Sequence, residues 1–357
     1  MKQSAARLSA LGLIAILLSV LVTPSASAAS LGGVLSADTI LTAAQSPYSI
    51  SSPVQIPNGI TLKVEAGVTF SGDNLSELFL VAGTVELNGT YENPIRIQGI
   101  KSNYIFRTIG ESPKVVITNT FFSDIGSLWK NDATMSKAVF TLTNSEVINS
   151  KGGVYVWFPK VFTLKNNYLS NSGGFSIGIS RCFVGSELNE DIQISGNTFE
   201  GKAGSTVLSD GWIVGWVTSC NEKIFVRGNY FKSPVGTAIS VPKNYTQPVN
   251  VVADRNYWDT TNEVQISSYI LDSTDSIEYF HKISVSPSLD TIPTGVPLVS
   301  RVLVEQKTAA DKKVTLEEQN KANVSALKKT TITCVKGKLT KKVTAIKPKC
   351  PAGYKKK

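Results

Sequence analysis

Residues that could carry out chemistry are few in this sequence. A single histidine, His281, leaves almost no basis for histidine metal sites, histidine-assisted acyl transfer or a histidine general base. The only adjacent acidic pair in the middle of the chain is Glu190-Asp191, shortly after Arg181. Such a group can bind a cation or transfer protons, but adjacent residues of a strand face opposite ways, which favours a solvated loop. The sequence therefore predicts no metal site and favours a protein without catalytic activity.

Aromatic residues indicate a different kind of site, one that binds sugars. Tyr155 and Trp157 alternate with aliphatic residues. Trp212 and Trp216 lie four positions apart in another apolar run, so both would face the same side of a strand. If the aliphatic residues face inward, the four rings lie on an outer face, where they can stack against carbohydrate. The alternative, in which the rings pack beneath long loops, stays open.

Residues 1–28 have the features of an export signal. Lys2 and Arg7 precede an apolar run from Leu8 to Val22, and the segment ends in Ala26-Ser27-Ala28. A basic start, a short apolar core and an A-x-A end are typical of a secretory signal peptide. A membrane anchor is the alternative, but a spanning helix needs about 20 apolar residues and this run is shorter. We expect a secreted mature chain without a transmembrane segment, outside the cell or at its envelope.

The charge distribution divides the chain into two parts. Residues 30–300 hold 18 Lys and Arg against 23 Asp and Glu, whereas residues 301–357 hold 16 against 4. A mildly acidic body carries a strongly basic tail, whose field attracts wall polymers or acidic polysaccharide. Nucleic acid is not expected as a partner of a secreted chain, and a purely solubilising tail is the alternative. The predicted polyanion-binding residues are Lys336, Lys338, Lys341, Lys342, Lys355, Lys356 and Lys357.

All four cysteines follow the signal, which fits an oxidising compartment. None belongs to a C-x-x-C motif. The positions suggest the pairs Cys182–Cys220 and Cys334–Cys350, but four cysteines allow three connectivities and the sequence alone selects none of them.

The body repeats. Short motifs in which Asn precedes an aromatic residue recur 23 to 32 residues apart, and most follow a short strand with alternating apolar residues. Such strands cannot bury their apolar face alone, so a solenoid of parallel strands is predicted, with Asn at the corners and the aromatic residue in the core. Aligned asparagines can bond to one another along the stack. A β-sandwich is the alternative. The motifs begin at Asn119, Asn144, Asn166, Gly196, Gly228 and Arg255.

The ends of the solenoid and the tail complete the predicted organisation. Thr260-x-x-Glu263 matches a capping box and predicts a short helix as a lid, with an irregular loop as the alternative. Residues 305–330 predict a solvated helix or spacer, and Lys336-Gly337 predicts a hairpin. We therefore expect a signal peptide (1–28), a capped solenoid (29–297), a linker or solvated helix (298–330) and a Lys-rich, disulfide-stapled module (331–357).

Two stretches resemble a known fold family. Ile56–Val68, which contains Pro57-Asn58-Gly59, resembles the opening coils of secreted bacterial right-handed parallel β-helix proteins, the pectate-lyase-like superfamily. Asn256-Tyr257-Trp258 and Ser286-Pro287-Ser288-Leu289 resemble their closing coil, although Asp259 replaces the usual glycine. The resemblance implies an all-β fold, a right-handed, single-stranded parallel β-helix. The repeat predicts about nine coils across residues 38–260, and the Lys336-Gly337 signal predicts a small basic β-hairpin module after them. The Lys-rich end resembles a two-Cys module found on assorted secreted bacterial proteins.

The resemblance leaves function open, because this superfamily includes lyases, hydrolases, epimerases and non-catalytic surface proteins. The paired Asp, Gly-His-Gly and Arg-x-Lys motifs of polygalacturonases are missing. The favoured hypothesis is a non-catalytic protein without a cofactor that binds polysaccharide or the cell envelope. One alternative is a polysaccharide lyase or glycoside hydrolase with dispersed carboxylates, for which Ca²⁺ would be expected if it is a lyase. Another is a structural rod or adhesin.

Overall fold

The body consists of parallel β-strands stacked in sheets. The structure is a computed structural model that describes residues 28–72, 75–131, 137–157, 160–171, 177–180, 192–202, 213–215, 224–241, 243, 251–326 and 328–357. Most turns of the described chain contribute one strand to each of three stacks, in the same order, so that a strand pairs with its equivalent in the next turn. This arrangement is compatible with the predicted β-solenoid.

The bounds of the described strands follow stack by stack. The first stack is formed by β2 (Thr39–Leu41), β4 (Thr61–Glu65), β7 (Thr84–Asn88), β10 (Lys114–Thr118), β13 (Val139–Thr143), β16 (Val161–Lys165), β19 (Ile192–Ser195), β22 (Ile224–Arg227) and β25 (Val251–Val252). The second is formed by β5 (Thr69–Gly72), β8 (Ile95–Gln98), β11 (Thr120–Ser123), β14 (Glu146–Ile148), β17 (Tyr168–Asn171), β20 (Thr198–Lys202) and β23 (Tyr230–Val235). The third is formed by β6 (Glu77–Val81), β9 (Tyr104–Thr108), β12 (Ser127–Asn131), β15 (Gly152–Trp157), β18 (Ile177–Ser180), β21 (Ile213–Gly215), β24 (Ile239–Ser240) and β26 (Ile270–Leu271). The long strand β3 (Tyr48–Ile56) pairs with both β5 and β6, and also with β1 (Ala29–Val34).

The core fills the space between the three stacks. Strands of the first stack alternate fully buried residues with partly buried or exposed ones, as their sequence predicts. Val115 and Ile117 pair with Phe140 and Leu142 of the next turn. The rings of Phe140 and Phe162 stack with centroids 5.7 Å apart. Equivalent side chains thus lie above one another, and the interior continues from turn to turn.

A ladder of buried asparagines holds one corner of the solenoid. Asn167, Asn197, Asn229 and Asn256 are fully buried, and each of the first three donates its backbone and side-chain N–H groups to the Oδ1 of the next, at 2.9–3.0 Å. The predicted bonding between aligned asparagines is therefore confirmed for these four. Ser145 continues the ladder, since its backbone N–H donates to Asn167 Oδ1 at 2.9 Å.

In two turns the asparagine of the predicted motif lies at the corner but outside the ladder. Asn119 and Asn144 have left-handed backbone, with φ of 44° and 50°, and the ladder passes through the residues that follow them. Phe199, Phe231 and Trp258 point into the core as predicted. Phe121 and Tyr168 do not, because they follow the ladder residue directly and belong to a second apolar cluster on the outer side of the stack.

A short helix lies at the C-terminal end of the stacks. Helix α1 (Glu263–Ser268) buries Ile266 with the core residues. The predicted capping box is wrong, because Asn262 caps the helix and its side chain accepts from the Gln265 N–H at 3.0 Å. Thr260 Oγ1 instead accepts from the Asn262 N–H. A further short helical turn lies early in the chain, at Ala43–Gln45.

The basic tail consists of a long helix and a small antiparallel sheet. Helix α2 spans Arg301–Ala326, and residues 304–322 are all exposed. The sheet contains β27 (Thr330–Lys336), β28 (Leu339–Ala345) and β29 (Lys355–Lys356), with β27 in the centre. In the described part of the chain, no helix has the length and apolar character needed to cross a membrane.

Candidate polyanion-binding module

The C-terminal sheet, here called the lysine module (residues 328–357), is held together by few apolar contacts and one disulfide. Lys336-Gly337 begins the predicted hairpin turn, where Gly337 has a φ of 55°. Cys334 is fully buried and is bonded to Cys350, with the Cα atoms 5.6 Å apart, which confirms this predicted pair. The third strand, which was not predicted, pairs Cys334 with Lys356 and Val335 with Lys355.

The lysine module concentrates positive charge. It contains 11 lysines and neither Asp nor Glu. All 11 are exposed, including the seven predicted polyanion-binding residues, and the structure brings those seven together in one small sheet. Because the module has no carboxylate side chain of its own, its lysines repel one another and attract anions from outside. Sequence reasoning omitted Lys328, Lys329, Lys347 and Lys349, which the charge count alone would have added.

Helix α2, which leads to the lysine module, is docked on the body at its first turn. The carboxylate of Glu146 on β14 is buried and accepts from Ser300 Oγ at 2.6 Å and from the N–H groups of Arg301 and Val302 at 3.0 and 3.1 Å. A carboxylate at a helix N-terminus satisfies free N–H groups and complements the helix dipole. Val302 packs with Phe121 and Tyr168, which explains why these two rings are buried outside the core.

Polar contacts extend this docking across several turns of the solenoid. Thr198 Oγ1 donates to the Pro297 carbonyl, whereas Arg96 donates to both Glu305 oxygens at 2.8 and 3.0 Å. The Arg301 guanidinium lies 4.9 Å from the ring centroid of Phe121. Residues 297–306, here called the strap, therefore lie along the outer side of the second stack before α2 extends into solvent. The predicted solvated helix thus begins with a docked segment.

Beyond the strap, the same outer side carries a charged cluster. Tyr168 donates to Glu200 Oε2 at 2.7 Å, and Lys232 Nζ lies 3.1 Å from the Tyr168 hydroxyl and 2.8 Å from Glu200 Oε1. Burial raises the pKa of Tyr168 to about 12. Burial also raises the pKa of Tyr230 to about 12, and its hydrogen bond to Asp259 adds to the effect. Burial opposes the charge of Lys232, but the hydrogen bonds to Glu200 and Tyr168 raise its pKa above the ordinary value.

The raised pKa values of Tyr168 and Tyr230 lead us to expect that both hydroxyls ionise only at a pH well above 10. The folded pKa values of Tyr168 and Tyr230 lie above the ordinary value of about 10, so both hydroxyls favour the folded state fully below about pH 10. This contribution is lost as the pH rises towards about 12. A tyrosinate absorbance titration of the folded protein is expected to show a phase near pH 12 that shrinks in a Tyr168→Phe variant. Complete titration near pH 10 would contradict the contacts described for this cluster.

The other predicted site residues fall mainly outside the described part of the chain. Trp212, Trp216, Cys182, Cys220 and the group Arg181, Glu190 and Asp191 lie outside it, and so do the side chains of Tyr155 and Trp157 on β15. The sugar-stacking face and the first disulfide therefore stay predictions.

Two acidic residues near the closing motif have structural partners. Asp254 forms an ion pair with Arg227, and Asp259 accepts from the Tyr230 hydroxyl at 3.0 Å. A cleft of about 610 Å³ lies beside α1 and is lined by residues that include Glu263, Asp272 and Lys282. The Asp272 carboxylate already accepts hydrogen bonds within the fold, from the backbone N–H groups of Thr274 and Ile283, both at 2.8 Å. Among the described residues, no group of three or more His, Cys, Asp or Glu side chains is placed to hold a metal ion.

Comparison of the chain with protein-family models, with curated proteins and with solved structures found no match.

Proposed function

We propose that this chain is a secreted, non-catalytic right-handed parallel β-helix protein that attaches to anionic polymers of the cell envelope through its lysine module. The body would bind polysaccharide on its lateral face through Tyr155, Trp157, Trp212 and Trp216. The observation that carries the proposal is the lysine module itself: 11 exposed lysines with no acidic residue, in a disulfide-bonded sheet. So much like charge on a sheet with so little apolar core supports binding of an external polyanion, which would neutralise the charge.

The helix before the module supports the same proposal. It has 26 residues, which corresponds to a length of about 39 Å. Its start is fixed to the body by Glu146 and Arg96, while residues 306–322 are exposed. Such an arm separates the positive charge of the module from the mildly acidic body, so that the module can contact a polymer without repulsion between that polymer and the body.

Retention on charged and uncharged forms of one polymer tests the proposal. We expect the full chain to bind immobilised dextran sulfate at low salt, to elute as salt is raised, and not to bind unsubstituted dextran through the module. A chain that ends at Ala326 keeps the strap and α2 but lacks the lysine module, and it is expected to lose this salt-sensitive retention. Unchanged retention of the shortened chain would overturn the proposal.

A further inference from the structure

The lysine module has two unlike faces. In an antiparallel sheet, directly opposed residues share a face and neighbours along a strand alternate. Cys334 opposes Lys341 on one side and Lys356 on the other, so these three residues share the disulfide face. Thr333 opposes Lys342, and Val335 opposes Lys355, so these four residues share the other face, here called the open face.

The disulfide face holds Cys334, the one buried side chain of the lysine module, whereas partly buried residues lie on both faces, Thr333 and Val335 being on the open face. Cys334 is fully buried there, and Ile332 and Val343, which oppose one another on the same face, are partly buried. The Lys336 side chain also lies over Gly353, since a Cβ at that glycine would be 3.2 Å from Lys336 Nζ. The segment that carries Cys350 therefore lies against this face.

The open face carries hydroxyl groups and ammonium groups side by side. Thr331, Thr340 and Thr344 are exposed on it, and the Oγ1 atoms of Thr331 and Thr344 lie 2.6 Å apart. Lys342 and Lys355 lie on the two outer strands, which are separated by about 10 Å across the central strand. An anion with several oxygens can accept from an ammonium and from a hydroxyl at the same time, which strengthens charge-assisted binding.

We infer that a linear phosphate polymer lies on the open face, where Lys342 and Lys355 bind its phosphate groups. The Thr340 hydroxyl, and whichever hydroxyl of the hydrogen-bonded pair Thr331 and Thr344 keeps a free proton, donate to the remaining oxygens. This inference rests on the proposed function. It goes further because it gives the polymer a direction and a face: the chain of phosphates crosses the three strands between the outer lysines. A module that attracted polyanions by net charge alone would use both faces equally.

The sequence offers a matched pair of variants for the test. Lys341 and Lys342 are neighbours on β28, and Lys355 and Lys356 are neighbours on β29. The open-face variant, Lys342→Gln with Lys355→Gln, and the disulfide-face variant, Lys341→Gln with Lys356→Gln, therefore change the same strands and remove the same charge. Affinity of the full chain for sodium polyphosphate is measured at several salt concentrations, and the melting temperature of each variant is recorded alongside.

We expect the open-face variant to lose roughly tenfold or more in affinity and to lower the slope of log affinity against log salt by about 2, since each phosphate contact contributes about 1. The disulfide-face variant removes the same charge from the field of the module, so it is expected to weaken binding too, but at least about threefold less than the open-face variant and with a smaller change of slope. Equal losses for the two variants would overturn the inference and leave the proposed function standing. A chain ending at Ala326 that binds polyphosphate as tightly as the full chain would overturn both. Tighter binding of polygalacturonate than of polyphosphate would overturn the assignment of phosphate.

Discussion

Replacement of Asn167 by alanine is expected to lower the free energy of unfolding by about 2–4 kcal/mol. The Asn167 side chain is fully buried, accepts from the Ser145 N–H at 2.9 Å and donates to the Leu142 carbonyl at 2.8 Å. Alanine leaves both of these backbone groups without that partner in the interior, and each such loss costs about 1–3 kcal/mol. Denaturant unfolding followed by circular dichroism measures the change.

The preceding residue provides the control. Asn166 is chemically identical to Asn167 but has left-handed backbone, with a φ of 56°, and is only partly buried. Glycine adopts this conformation without strain, so Asn166→Gly is expected to change the free energy of unfolding by less than about 0.5 kcal/mol. Equal losses for the two variants would mean that the buried ladder does not stabilise the corner as described.

Replacement of Glu146 by alanine is expected to release the strap. The carboxylate holds Ser300 Oγ and two N–H groups of the first turn of α2, and hydrogen bonds to a charged group contribute about 1.5–3 kcal/mol. Loss of this group should make opening of the strap easier by about 2–4 kcal/mol, which corresponds to roughly 30- to 1,000-fold faster amide exchange at Arg301 and Val302. Hydrogen exchange followed by mass spectrometry measures this rate.

An exposed ion pair in the same strap gives the matched comparison. Arg96 and Glu305 retain 27% and 48% of their side-chain exposure, and exposed pairs contribute at most about 1 kcal/mol. Arg96→Gln is therefore expected to accelerate exchange less than about fivefold. Polyphosphate binding should survive in both variants because the lysine module is intact. Exchange that is equally fast in the two variants would contradict the role assigned to Glu146.

The sequence predicts the stacked parallel strands because strand alternation and corner residues recur at each turn. It does not separate the two corner positions where both are asparagine, as in Asn166-Asn167, since Asn suits left-handed backbone and a buried ladder equally well. Gly196-Asn197 and Gly228-Asn229 contain the missing signal. Glycine there has left-handed backbone, with φ of 66° and 62°, so the second residue must be the ladder position.

The candidate site was predictable in composition but not in geometry. Lysine content and the two cysteines indicate a basic, stapled hairpin, whereas β29 consists of two lysines with no apolar pattern to reveal a strand. The contact between Glu146 and Ser300 joins residues 154 positions apart, and one glutamate in a short strand carries no local mark of such a partner. This docking contact depends on the folded shape of the body, so local sequence patterns cannot predict it.

The salt dependence of polymer binding tests the central claim most directly. The dissociation constant of the full chain for sodium polyphosphate is measured from low to high salt by titration calorimetry. If the lysine module binds by charge, log affinity falls linearly with log salt, with a slope of several units, and this dependence is lost in the chain that ends at Ala326. An affinity that does not change with salt, or one that the shortened chain shares, would contradict the account.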